Sequence, residues 1–272
     1  MGYRFVSENL KKTGVIIDGQ GIDGSRSHRR EQTRTAHYDV AGSITMNPSP
    51  EELDNLFPMI LGGTESADSF PLADALPQRA IAIDRVGRRF IYDTCTVSRA
   101  TFSGRHGEPI QLVMELIGDT ETVSATAMPA ITYTTATNGM YVPSDNVVTV
   151  LSSARSVLSW EIIIDNHVSA RFVNSTTAND ISATDRTVMF NYVVPYTSSE
   201  VDLYAQALDH GATATLVLTN GGYSTTFTFA RLQAPDNSPV VPGRSEITLA
   251  VQSIARMNST TKELAVTHDS VA

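Results

Sequence analysis

Val40-Ala41-Gly42-Ser43-Ile44-Thr45-Met46, followed after two residues by Ser49-Pro50-Glu51-Glu52, carries the reading on which the fold rests. In the first stretch Val40, Gly42, Ile44 and Met46 share one face, and Ala41, Ser43 and Thr45 share the other. Successive side chains of an extended backbone point to opposite sides, so this alternation predicts a half-buried strand. The second stretch is a helix start. Ser49 stands at the cap, Pro50 at the first helical position, and Glu52 three residues after the cap. Leu53, Leu56, Phe57, Ile60 and Leu61 then recur at helical spacing, and Gly62-Gly63 supplies the stop. Pro58 lies inside this pattern and predicts a kinked or shortened helix.

Working outward, Ile16-Ile17-Asp18 ends a first strand upstream. Downstream, Ile81–Asp84 turns through Arg85-Val86-Gly87 into Phe90–Val97. A closing strand then alternates through Ile110, Leu112, Met114 and Leu116. The same succession recurs later in the chain. Val188, Phe190, Tyr192 and Val194 alternate, and Thr197-Ser198-Ser199-Glu200 repeats the capping box. The pairs Val40/Val188, Ser49/Thr197 and Glu52/Glu200 all lie 148 residues apart. Val201, Tyr204, Ala205 and Leu208 follow at helical spacing and stop at Gly211. Ile163-Ile164-Asp165 matches Ile16-Ile17-Asp18 at a spacing of 147. Thr215–Leu218 and Thr225–Leu232 flank Asn220-Gly221-Gly222, a strong hairpin signal, and Ile247, Leu249, Val251 and Ser253 close the unit.

One pattern is thus written twice: strand, long loop, strand, helix, hairpin, strand. The expected fold class is mostly β, a β-sandwich or partial barrel with one flanking helix, duplicated in tandem. The expected division is a first β domain at 1–125, a linker at 126–157, a second β domain at 158–258, and a tail at 259–272. The linker is rich in Thr, Ser and Ala, holds Pro129 and Pro143, and has room for one strand of its own.

Composition narrows the function classes. Of 272 residues, 41% are apolar and 18% charged, a globular balance, and the net charge is −9. A protein that grips DNA phosphates is normally basic; an acidic one repels DNA and lets it slide. No apolar run is long enough to span a bilayer, and Met1–Leu10 lacks the apolar stretch of a secretory signal. Cys95 is the single cysteine, so an internal disulfide and a multi-cysteine metal site are both excluded. The histidines at 28, 37, 106, 167, 210 and 268 show no helical metal-ligand spacing. Gly19-Gln20-Gly21-Ile22-Asp23-Gly24 matches a dinucleotide-binding spacing and follows a strand, but arginine-rich polar sequence follows where a helix is required. Glu51-Glu52 sit in a helix first turn, where carboxylates complement the macrodipole. No catalytic constellation, cofactor site or metal site emerges. The feature that stands out is a long polar loop, Ser25–Thr35, with Arg26, Arg29, Arg30 and Arg34 against Glu31. It reads either as a solvated loop or as one ordered against an acidic partner, because the planar guanidinium pairs with carboxylates.

The run Val40–Met46, then Pro50–Phe57 and Ile60–Gly63, resembles the tail tube proteins of long-tailed, siphovirus-type bacteriophages. Trp160–Met257 resembles the same unit again, so the likeness covers most of the chain. The resemblance implies a structural subunit of a non-contractile tail tube, with inner sheets of neighbouring subunits joined edge to edge into a closed barrel. Rings would stack into the channel for DNA ejection. Related tubes use hexameric rings of one-domain subunits, so two domains per chain imply a trimeric, pseudo-hexameric ring; six chains with the second domain outside is the competing arrangement. The resemblance also implies loops at Gly19–His37 and Asn166–Arg186 that bridge subunits or rings. Their candidate contact residues are Arg26, Arg29, Arg30, Arg34, Arg171, Asp180 and Asp185. Implied partners are further copies of the chain, the tape measure and the tail terminator. DNA would pass an acid-rich lumen without specific binding, and no membrane, cofactor or catalysis is implied. The location would be the virion tail, after synthesis in the bacterial host cytoplasm. Two other readings stay open: another virion ring protein of the neck or tail end, and a β-sandwich carbohydrate-binding adhesin. The second asks for clustered aromatics, whereas the single tryptophan, Trp160, sits on an apolar strand.

Overall fold

The computed structural model describes residues 2–19, 27, 30–133, 138–203, 211–235 and 238–269. The first half runs β1 (Ser7–Glu8), β2 (Lys11–Asp18), β3 (Thr33–Met46), α1 (Pro50–Leu61), β4 (Ser69–Phe70), β5 (Arg79–Arg85), β6 (Arg88–Arg105), β7 (Gln111–Gly118) and β8 (Thr120–Ser124). The capping box forms as expected, with the Ser49 N–H donating to Glu52 Oε2 at 3.0 Å. Pro58 does not shorten the helix. α1 continues to Leu61, where Gly62 closes it at φ 84°, because Leu56, Phe57, Ile60 and Leu61 are all within 1% of complete burial. Core packing on that face outweighs the one hydrogen bond that proline removes.

The second half runs β9 (Asn146–Val150), β10 (Ser153–Arg155), β11 (Ser159–Asp165), β12 (Val168–Arg171), β13 (Asp180–Ala183), β14 (Thr187–Pro195), β15 (Ala212–Asn220), β16 (Tyr223–Gln233), β17 (Thr248–Ala255) and β18 (Leu264–Asp269). The second capping box is also present, the Thr197 N–H donating to Glu200 Oε2 at 3.0 Å, and Val201–Leu203 begin a helix. Tyr204, Ala205 and Leu208, expected on that helix, lie outside the described residues. Strands also lie in the segments read as linker and tail. The segment 126–157, read as a linker with room for one strand, carries two, β9 and β10, and β9 extends the sheet beside β15. The expected tail holds β18, which pairs with β16 and β4.

All pairings of the named strands are antiparallel, and sixteen strands join one continuous open sheet that folds over itself as a sandwich without closing into a barrel. Both halves use the same neighbour order. β2-β3-β7-β6-β5 in the first is matched by β11-β14-β17-β16-β15 in the second, with β8 and β18 in like places beside β6 and β16. The registers agree as well: Met46, Ile44 and Gly42 oppose Leu112, Met114 and Leu116, as Val194, Tyr192 and Phe190 oppose Leu249, Val251 and Ser253. The first strand departs from its sequence match. Lys12 opposes Val40 as Ile164 opposes Val188, so corresponding positions lie 152 apart rather than 147. Apolar residues recur on both strands, and only the hydrogen-bonded partner distinguishes the two alignments.

The halves share one core. Phe57 on α1 touches Phe70, Phe102 and Phe227 with ring centroids 5.3, 6.1 and 5.8 Å away, so a single helix side chain bridges both halves. β6 changes neighbours along its length, pairing with β5 and β8 early and with β7 and β11 late. Thr94, at φ 57°, lies within that changeover. A buried polar chain, Tyr141 Oη···Thr225 Oγ1 at 2.9 Å and Thr225 Oγ1···His268 Nδ1 at 2.7 Å, ties residue 141 to β16 and β18.

Candidate functional site

The residues most exposed to a function lie on the second face of the sheet. Along β7, β14 and β17 every other residue is buried, as in Leu112, Met114 and Leu116, and the same parity recurs in Val40, Ile44 and Met46 of β3, Ala100, Phe102 and Gly104 of β6, and Trp160, Ile162 and Ile164 of β11. The alternate positions form one surface across both halves. It carries Asp39, Glu115, Glu161 and Asp165 together with Lys11, Arg99 and Arg105. Arg99 stands in register between Glu115 on β7 and Asp165 on β11. Asn191 Nδ2 donates to Glu161 Oε2 at 3.2 Å. Carboxylates and cations alternate across strands, so no strong field of one sign builds up on this face.

This surface is continuous because the halves join edge to edge. β6 pairs with β11 through seven residues, from Arg105 opposite Ser159 to Arg99 opposite Asp165. Trp160, 2% exposed, lies over Gly104, where an added Cβ would stand 2.6 Å from the indole. Glycine is required there for the ring to reach the joint.

The opposite margin, β1 and β2, pairs only with β3 among the described residues. Its backbone is guarded by side chains from the outer strands. Arg85 Nη2 donates to Glu8 Oε2 and to the Leu10 carbonyl, both at 2.6 Å, and Tyr92 Oη donates to the same carbonyl at 2.8 Å. The Leu10 N–H donates to Glu8 Oε2 at 3.1 Å and the Lys12 N–H to Glu121 Oε2 at 3.3 Å. The Arg85 guanidinium holds the Glu8 carboxyl below its ordinary range. Side chains that occupy edge donors and acceptors keep a lone strand from pairing at random. Sequence reasoning missed this cluster, since Glu8 and Arg85 are 77 residues apart and no local pattern links them.

The expected inter-subunit residues are dispersed. Arg26 and Arg29 lie outside the described residues. Arg30 opens a short 3-10 turn, Arg30–Gln32, and Arg34 belongs to β3 rather than to a loop. The expected loop Ser25–Thr35 therefore ends in ordered structure, because Thr33, Arg34 and Thr35 pair with Asp18, Ile17 and Ile16. Arg171 and Asp180 do meet, 3.3 Å apart across the β12–β13 hairpin. Asp185 is exposed and accepts a hydrogen bond from the Arg186 N–H. The segment Asn166–Arg186 packs on its own chain. Asn166 Nδ2 donates to the carbonyls of Ile60 and Val97, both at 3.1 Å. The Tyr38 N–H donates to the Thr176 carbonyl at 2.8 Å, and the rings of His37 and Phe172 lie 4.3 Å apart. The two loops expected to reach neighbours thus touch each other within one chain.

Among the described residues, no cluster of chemistry-bearing groups forms. Cys95 is 1% exposed, and burial pushes its thiol up to about 12. Among the described residues no group of three or more His, Cys, Asp or Glu could hold a metal ion, and none of the helices is long and apolar enough to cross a membrane. Open antiparallel sheet, a polar face running across both halves and a guarded edge define the class of this fold. The phage tail tube protein family matches residues 5–255, and the chain belongs to that family. No match was found among curated proteins.

Proposed function

We propose that this chain is the repeating subunit of a non-contractile tail tube, built from two fused tube modules. Three chains close a ring with pseudo-six-fold symmetry, and rings stack into the conduit through which DNA is ejected. The observation that carries this reading is the common strand order and register of the two halves, together with their edge-to-edge joint at β6 and β11. A joint between like modules that uses two different edges leaves one edge of each kind over, and repeating it generates a ring where the rotation between modules closes. Closure removes the free edges that a monomer must guard.

In this reading the face bearing Glu115, Arg99 and Asp165 lines the lumen. Its mixed charge neither grips DNA phosphates nor opposes their passage strongly. The protein works by geometry and catalyses nothing. The tape measure and the tail terminator are its further partners. Electron microscopy of concentrated purified protein tests the proposal. The expected result is tubes of uniform diameter whose rings average to three copies. Isolated rings that never stack would point to a neck or tail-end component, and six copies per ring would replace the trimer. A protein that remains monomeric at high concentration under all conditions would refute the assignment.

A further inference from the structure

Asparagine is a thermolabile residue, and most so before glycine, where no Cβ crowds the backbone nitrogen that attacks its amide. The chain holds two such pairs, Asn138-Gly139 and Asn220-Gly221, and the fold brings them together. Asn220 Nδ2 donates to the carbonyls of Gly139 and Met140, at 3.0 and 3.4 Å. Asn138 Oδ1 in turn fills the place that a Cβ on Gly221 would take. The two asparagines are held differently. Asn220 ends β15 and opposes Tyr223 across a tight turn whose glycines take φ 60° and 96°. Its amide is fixed by two acceptors, and the residue after it is backed by Asn138. Asn138 belongs to no strand or helix. Its N–H and its Nδ2 both donate to Glu51 Oε1 in the first turn of α1, at 2.9 and 3.1 Å. Gly139 is exposed, and nothing stands within 4 Å of where its Cβ would be.

We infer that Asn138 is a site of slow self-modification in the native protein, and that the fold shields Asn220 from the same reaction. The Gly139 nitrogen gives its proton to solvent base and attacks Asn138 Cγ. The new N–Cγ bond forms as the Cγ–Nδ2 bond breaks, and Nδ2 takes a proton from solvent and leaves as ammonia. Water then opens the cyclic imide. Cleavage at Cγ gives aspartate, and cleavage at the backbone carbonyl gives isoaspartate, with the chain rerouted through the side chain. Nothing is oxidised, and water is the only co-reactant. Either product replaces a donor that faces Glu51 with a carboxylate. Two anions then meet at the start of α1, where one amide bridged before, and like charges at such a distance repel. Three residues on, the Tyr141 hydroxyl begins the buried chain to Thr225 and His268, so the new charge bears on the joint between α1 and the second half. At Asn220 the reaction has to break two hydrogen bonds and open a paired turn before the amide can swing toward Gly221.

Peptide mass spectrometry on the full chain, aged in mildly alkaline buffer, tests this. Folded protein should accumulate aspartate and isoaspartate at residue 138 while residue 220 stays an amide. Protein held unfolded in denaturant should convert at both positions at comparable rates. Conversion at 220 in the folded chain that equals or exceeds that at 138 would overturn the assignment. So would an unchanged Asn138 over the time in which the unfolded chain converts. Gly139→Val, at a position whose φ is not left-handed, should remove the signal at 138, because a β-branched side chain crowds the attacking nitrogen. An undiminished signal in that variant would overturn the route. As an independent arm, Asn138→Asp should lower the melting temperature, and adding Glu51→Gln should restore it by returning a donor to the pair. A melting temperature unmoved by Asn138→Asp, or a loss that Glu51→Gln leaves in place, would overturn the link to α1.

Discussion

Phe57→Ala offers the sharpest measure of how the two halves are coupled. Phe57 is completely buried and packs against Phe70 on β4, Phe102 on β6 and Phe227 on β16. Truncation removes a full aromatic side chain and leaves a cavity between elements that cannot all collapse inward. Such changes cost about 3–5 kcal/mol. At roughly 2–4 °C per kcal/mol for a chain approaching this size, the melting temperature should fall by on the order of 10 °C. The assay is calorimetry or circular dichroism on unassembled protein. The cost should appear in one cooperative transition covering both halves, because α1, the β6–β11 joint and the β16–β18–β4 pairing tie them together. Two resolved transitions, with only the earlier one displaced, would refute this account. So would a loss under about 1 kcal/mol, well below that range.

Other expectations follow from single positions. Asn166→Leu should lower stability by about 1–3 kcal/mol in chemical denaturation, since it strands the buried carbonyls of Ile60 and Val97. Gly42→Val should be strongly destabilising, because an added Cβ would stand 2.5 Å from the Leu10 Cα. Soluble expression at unchanged melting temperature would contradict that clash. Burial pushes His268 below its ordinary value of 6.5. The unfolded chain therefore takes up the proton first, and native stability declines as pH falls below about 6.5 until the folded value is passed. His268→Phe should flatten that slope in denaturant titrations across the acidic range. Cys95 should resist a thiol reagent at pH 8 in the native protein and react on unfolding, since its thiol is raised to about 12.

Local alternation and capping chemistry were enough to show, from residues alone, that this chain is mostly β, with a capped helix start after Met46. Val40–Met46 and Ser49–Glu52 each contain their own signal, because the period of a strand and the box at a helix start are set by neighbouring residues. The polar second face of the sheet followed from the same alternation. Tertiary structure decided what depends on partners far away in sequence. Pro58 stays helical because Phe57 and Ile60 are held in the core. Leu264–Asp269 become a strand because β16 and Phe70 offer open backbone. Apolar patterns alone aligned Ile163 with Ile16, five positions from the register that the hydrogen bonds adopt. Glu8, Arg85 and Tyr92 became an edge guard only once the fold brought them together. Backbone hydrogen bonds and ion pairs between residues distant in sequence are satisfied by position rather than by residue type. The strand edges are therefore where a sequence says least and a structure says most.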